Sequence, residues 1–169
     1  MANCFLTLKT QKCSQIKGET TQKGFEDYVE IESYSLGASY GVAGPAAGGG
    51  TGGASSGKAT LQDVHFMAKQ GKESVALFKC CATGDPVEEA VLKCLREASG
   101  GRQVYFTMTL KDGFVSSIQW SGSGSENQIP MVYFSLAFRV IEMEYKPLST
   151  ADKTLGPPHR IEFDLGKGK

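Results

Sequence analysis

Gly52-x-x-x-x-Gly57-Lys58 looks like the start of a phosphate-cradling loop. In such a loop backbone N–H groups hold the phosphates, a lysine reaches the terminal ones, and the next Ser or Thr ligates magnesium. Here the next residue is Ala59, whose methyl coordinates nothing, and Thr60 stands one place too late. The loop must also follow a buried strand and open a helix whose N-terminus faces the phosphates. The run Ala59–Ala68 reads as extended instead, and more glycine precedes Gly52. A nucleotide-binding enzyme built on Gly52–Lys58 is therefore the weaker alternative.

The other chemistry-bearing residues are equally thin. His65 shares a strand face with Asp63, but no further metal ligands cluster there, and His159 follows Pro157-Pro158 in a loop-like context. The serine-nucleophile pattern has only a low-complexity approximation at Gly122-Ser-Gly-Ser. Glu26-Asp27 and Glu88-Glu89 read as solvated acidic pairs. The five cysteines, at 4, 13, 80, 81 and 94, are odd in number and form no Cys-x-x-Cys. Reduced, mostly buried thiols are expected. No catalytic residue, metal site or cofactor is assigned.

Composition points the same way. Lys plus Arg and Asp plus Glu are both 18 in 169 residues, so no basic surplus favours nucleic acid or an anionic membrane. The first residues show no signal-peptide pattern and no apolar run is long enough to span a bilayer, so folding in a cytosol is expected. One domain over 1–169 fits the length.

The elements are mostly strands. Phe5–Lys9 is short and extended, Ser14–Thr21 is polar and turn-like, and Tyr28–Leu36 alternates. That alternation places Val29, Ile31, Ser33 and Ser35 on one face. An uncharged glycine-rich loop follows over about 38–57, then a strand near Lys58–Lys69. Gly71–Gly84 reads as a helix, with Ala76, Leu77, Cys80 and Cys81 on a small-residue face and Gly84 as its stop. Asp85–Ala98, taken alone, also reads as a helix. Asp85 would cap it, and Val87, Ala90, Val91, Cys94, Leu95 and Ala98 stand at helical spacing. Alternating Val104–Leu110, an Asp112-Gly113 turn signal and Phe114–Trp120 suggest a hairpin. A long strand at 132–145 flips phase at Ile141, as at a bulge or barrel corner. Arg160–Leu165 is the last strand.

Taken in order, Ile16-Lys-Gly-Glu-Thr20, Ile31–Gly37, Gly57–Asp63, Lys72-Glu-Ser74, Gly100-Gly101 before Val104-Tyr-Phe106, Phe114–Ile118, Gly122-Ser-Gly124 and Val140–Pro147 resemble the haemolysin co-regulated protein (Hcp) family. These are tube subunits of type VI secretion systems. The likeness runs over about residues 3–165. It implies a mainly β fold: a compact antiparallel β-barrel of two packed sheets with one helix, similar to phage tail-tube proteins. It also implies that 85–98 is a strand, against the helical reading, and the family's version is followed here. The implied function is structural. Homohexameric rings stack into a tube that carries effectors in its lumen, works with sheath, spike and baseplate proteins, and is secreted without a cleavable leader. A tail-tube subunit of a phage or another contractile particle is the alternative. The loop glycines Gly44, Gly48, Gly49, Gly50, Gly52 and Gly53 are then candidates for ring stacking, and Ser33 and Ser35 for a lumen face.

Overall fold

The computed structural model describes residues 3–12, 15–41, 59–125 and 128–168. Among them the strands are β1 (Cys4–Thr10), β2 (Gln15–Ile16), β3 (Val29–Ile31), β4 (Ser33–Ser35), β5 (Ala38–Tyr40), β6 (Ala59–Leu61) and β7 (Val64–Lys69). The helix α1 (Lys72–Thr83) comes next. Then follow β8 (Pro86–Ala98), β9 (Gly101–Ser121), β10 (Met131–Ala137), β11 (Val140–Tyr145) and β12 (His159–Asp164). The class is mainly β with antiparallel ladders and one helix, as expected. The large sheet runs β2-β1-β8-β9-β10-β7-β4, β11 extends from β9 to β12, and β5 pairs with β6 apart from it. β3 ladders with β1 and β4 ladders with β7. The single segment 29–35 thus spans from one end of the sheet to the other, helped by the Glu32 N–H donating to the Met67 carbonyl at 2.9 Å. No ladder among the described residues closes the barrel. Chain continuity through Glu32 bridges it.

The core follows from period-two burial. Leu6 and Leu8 of β1, Val64, Phe66 and Ala68 of β7, Ala90 and Leu92 of β8, Met108 and Leu110 of β9, and Val132, Phe134 and Leu136 of β10 all point inward and are buried. Phe5 faces the other way yet is fully buried, because Phe25 stacks on it at 4.7 Å. The segment read as a polar turn at 14–21 contains β2, whose Ile16 is buried opposite Leu8.

The helix forms as read. Gly84 ends it in the left-handed region (φ 63°), with its N–H turned back to the Cys80 and Cys81 carbonyls, a conformation that costs glycine nothing. Its inner face differs from the expected small-residue face: Leu77 and Cys80 are buried, and so are Glu73 and Ser74. Burial is the chief cause that pushes the Glu73 carboxyl above its ordinary range. Backbone N–H bonds pull it back in part and the Glu19 carboxylate adds to the rise. A carboxyl raised by folding binds more protons in the native state, so stability falls as pH climbs from the ordinary carboxylate value to the folded one. Below that window the cost is absent. Glu73→Gln is therefore expected to melt a few degrees higher than the parent at pH 7.5 and to lose that advantage at pH 4. Parallel melting curves for the two proteins across that range would refute the assignment.

The strand that the family resemblance implied at 85–98 is borne out, and the helical reading of the segment taken alone fails: residues 86–98 are held on both edges, by β1 and β9. Asp85 caps no helix. Its buried carboxylate accepts the Lys12 N–H at 3.3 Å, and its own N–H closes the end of α1 on the Cys80 carbonyl at 3.0 Å. The Asp112-Gly113 signal is not a hairpin turn. β9 runs unbroken from Gly101 to Ser121, with Asp112 at φ 53° as a local kink. The hairpin lies earlier, where Ala98 faces Gly101 across Ser99-Gly100. The phase flip at Ile141 is real. β10 ends at Ala137 and β11 starts at Val140, and both pair with β9 on the two sides of its kink.

Candidate functional site

The glycine tract is mounted on a β foot. Ala38, Ser39 and Tyr40 pair with Leu61, Thr60 and Ala59, so the loop read as 38–57 begins inside a ladder. Both strands of the foot are largely exposed, Tyr40 among them. The stacking candidates Gly44, Gly48, Gly49, Gly50, Gly52 and Gly53 lie outside the described residues, as does Lys58. Ala59 opens a strand rather than a helix, so the element that would turn a helix N-terminus toward phosphates is missing.

Ser33 and Ser35 are exposed in β4. They do not share a face with Val29 and Ile31, as alternation implied. Those two are buried, whereas Tyr34 is the β4 residue on the inner side, opposite buried Phe66 and stacked on Phe106 at 6.2 Å. The phase shifts at Glu32, where the segment leaves β1 for β7. The two serines stand outward in register with Met67 and His65 of β7, which in turn oppose Tyr133 and Ser135 of β10. Ser135 is buried and its hydroxyl bonds those of Ser116 and Ser117 at 2.7 and 2.5 Å.

A second polar face escaped the sequence reading. Thr107 and Thr109 of β9, Glu142 and Glu144 of β11, and Arg160 and Glu162 of β12 line an open groove of about 580 Å³. Burial pushes the Glu144 carboxyl up, but hydrogen bonds from Arg160 (2.5 Å) and Lys146 (3.4 Å) outweigh it and hold it below the usual range. The hydrogen bond and charge of Glu142 raise Lys111 beside it. Glu144, held ionised by Arg160 and Lys146, is a weak proton acceptor. The groove is a polar, ion-paired wall open to solvent.

The third surface is apolar. Val75 and Phe78 point away from the core on α1, 70% and 53% exposed, and the Phe78 ring lies 5.6 Å from that of Trp120, itself 39% exposed. The signal was present in the sequence, since Val75 and Phe78 stand three apart and off the small-residue face. Beyond the core, β12 pairs only with β11 among the described residues, and Ile161 is 58% exposed on it. An uncovered edge with an exposed isoleucine invites pairing with another chain. His65 and His159 are exposed in β7 and β12, and no group of three or more His, Cys, Asp or Glu among the described residues is placed to hold a metal ion. None of the described helices is long and apolar enough to cross a membrane.

A mainly antiparallel β fold with one packed helix, an exposed β5–β6 ladder and exposed polar and apolar faces suits a protein that assembles. The family model described as "Type VI secretion system effector, Hcp" matches residues 5–145. The chain belongs to the Hcp family of type VI secretion. It is 33% identical over 109 residues to protein hcp1 of Pseudomonas aeruginosa, a match covering 64% of this chain and 66% of that one, just under two thirds of its length. Among solved structures, a type six secretion system protein superposes with a TM-score of 0.84 at 20% identity, over 100% of this chain and 99% of the other. Hcp1 of Salmonella typhimurium gives 0.72 at 21%, over 100% and 99%. An Hcp1 from E. coli EAEC 042 gives 0.76 at 16%, over 98% and 99%. These structural likenesses carry the fold, and the family match carries the membership.

Proposed function

We propose that this chain is a tube subunit of a type VI secretion apparatus. Copies close into six-membered rings, rings stack, and effectors travel in the lumen. Its partners on this reading are copies of itself, the sheath, spike and baseplate proteins of the apparatus, and cargo. It folds in the cytoplasm and leaves with the tube, and its role is structural. The observation that carries the reading is family membership over 5–145 joined to the exposed surfaces of the monomer. An isolated protein rarely exposes an aromatic patch and a strand edge unpaired among the described residues together unless another chain covers them. Head-to-tail contacts between unlike faces close into a ring when the rotation permits.

Within that reading the segment joining β5 to β6 contacts the next ring through Gly44, Gly48, Gly49, Gly50, Gly52 and Gly53, and one of the polar faces lines the lumen. Ser33 and Ser35 are the proposed lumen residues. Light scattering on the purified protein is expected to give about six times the 18.1 kDa chain mass. A monomer at every concentration tested would count decisively against the ring. Deleting residues 44–53 should leave that mass unchanged but shorten or abolish tubes in electron micrographs. Tubes of normal length in the deletion would remove the loop from stacking.

A further inference from the structure

Cys4 of β1 and Cys94 of β8 are direct cross-strand partners. The Leu95 N–H donates to the Asn3 carbonyl at 2.6 Å, one residue outside the pair. In an antiparallel ladder that bond places Cys4 and Cys94 at a non-hydrogen-bonded position, where Cα atoms stand about 4.5 Å apart and side chains are closest. The separation falls inside the range of about 4.4–6.8 Å that a disulfide spans. Opposed residues share a face, and both thiols join the same end of the core: Cys94 is fully buried, Cys4 partly exposed.

We propose that Cys4 and Cys94 form a reversible cross-strand disulfide that fastens β1 to β8 when the protein meets a disulfide oxidant. The geometry also orders the steps. Cys4 is the accessible thiol, and the hydrogen bond from Cys94 favours its thiolate while holding the Cys94 proton in place. Burial adds to the rise at Cys94, and the Tyr34 hydroxyl bonds the same thiol. The Cys4 thiolate attacks one sulfur of a small-molecule disulfide R–S–S–R, forming a mixed disulfide and releasing R–S⁻. Cys94 then gives up its proton, its sulfur attacks Cys4 Sγ, and the second R–S⁻ leaves. Two protein thiols are oxidised and one disulfide is reduced to two thiols, each taking up a proton. Cys80 and Cys81 are built differently. They are neighbours on α1, and the Cys80 thiol donates to the Asp85 carboxylate at 3.9 Å.

The test is oxidation of the full-length protein with oxidised glutathione, alkylation of the remaining thiols after denaturation, and peptide mapping. A single link between the peptides carrying Cys4 and Cys94 is expected, reversed by dithiothreitol. The thermal midpoint should rise by roughly 5–10 °C on oxidation. Cys4→Ser removes both effects, and because Cys4 is partly exposed that variant is expected to fold. Cys94→Ser is a second route to the same result. Recovery of both cysteines as alkylated thiols would overturn the proposal. So would glutathione retained on Cys4 without closure, or a link from either residue to Cys13 or Cys81.

Discussion

Gly113→Ala is expected to cost about 2–4 kcal/mol of folding free energy and to lower the thermal midpoint by roughly 10 °C. A Cβ at this position would stand 2.0 Å from the Ala137 carbonyl oxygen and 3.2 Å from the Phe138 Cα. Both are backbone atoms, so no rotamer change relieves the contact. Either β9 or the junction of β10 with β11 must move, and both are tied on two sides. At this point β9 pairs with Val87 of β8 and with Phe138's neighbours in β10 and β11. The preceding residue supplies the contrast. Asp112 sits at φ 53° and its carboxylate pairs with Arg139 in solvent at 2.7 Å. Asp112→Gly relieves about 1 kcal/mol of left-handed strain, which offsets an exposed ion pair of about 0–1 kcal/mol and the added unfolded-chain entropy. Its midpoint is expected to stay within a few degrees of the parent's. Chemical denaturation of the two variants side by side decides the matter. Equal, small losses would mean that the strand kink is not steric.

The same junction shows why Asp112-Gly113 misled as a turn signal. Such a pair marks a place where the chain needs positive φ or a close approach. A hairpin and a kink between two crossing ladders both meet that need, and only the partner strands distinguish them. β8 misled for a related reason. Its core-facing residues are Val87, Ala90, Leu92 and Cys94. The three-residue step from 87 to 90 arises where Thr10 follows Lys9 in β1 but Val87 and Glu89 face them, which leaves Glu88 as an extra residue. Leu95 is buried next to Cys94 but outside the main core cluster. A bulge and a strand buried on both faces together imitate helical spacing. Two ladder edges then outweigh the modest helix propensity of Glu, Ala, Leu and Lys. Where one local rule governs, the sequence was enough. α1 has its stop in Gly84, and β7 and β10 carry plain alternation. Membership of the Hcp family was also legible from the order of short segments. The assembly surfaces were less so, because they depend on which face of each element the rest of the chain leaves uncovered. Ser33 and Ser35 are exposed, but on the face opposite the one that alternation assigned, since Glu32 resets the phase. Cys4 and Cys94 stand 90 positions apart in the sequence, and no spacing rule joins them.

On the proposed ring reading, Phe78→Asp is expected to abolish ring formation at the concentrations where the parent assembles, while the monomer keeps its fold. Phe78 is 53% exposed and Val75 is 70% exposed, so neither side chain is committed to the core. An exposed substitution of this kind usually changes stability by less than about 0.5 kcal/mol, somewhat more here for the lost contact with Trp120. An aromatic anchor buried between two chains is a different matter. Its removal typically costs 2 kcal/mol or more, roughly thirtyfold in each contact. A carboxylate left without a partner in a dry contact adds to that loss. A closed ring of six repeats the same contact six times, so the penalty compounds around the ring. Light scattering should therefore report a monomer, and its circular-dichroism melting curve should lie within about 4 °C of the parent's at a dilution where the parent is itself monomeric. Val75→Asp, one turn away on the same face, should reproduce the effect in milder form. If both variants still form rings at the parent's concentrations, the helix face is not the contact, and the bare edge of β12 around Ile161 takes its place as the surface to test. If the melting curve collapses instead, Phe78 and Trp120 serve the subunit's own packing, and their exposure says nothing about a neighbour.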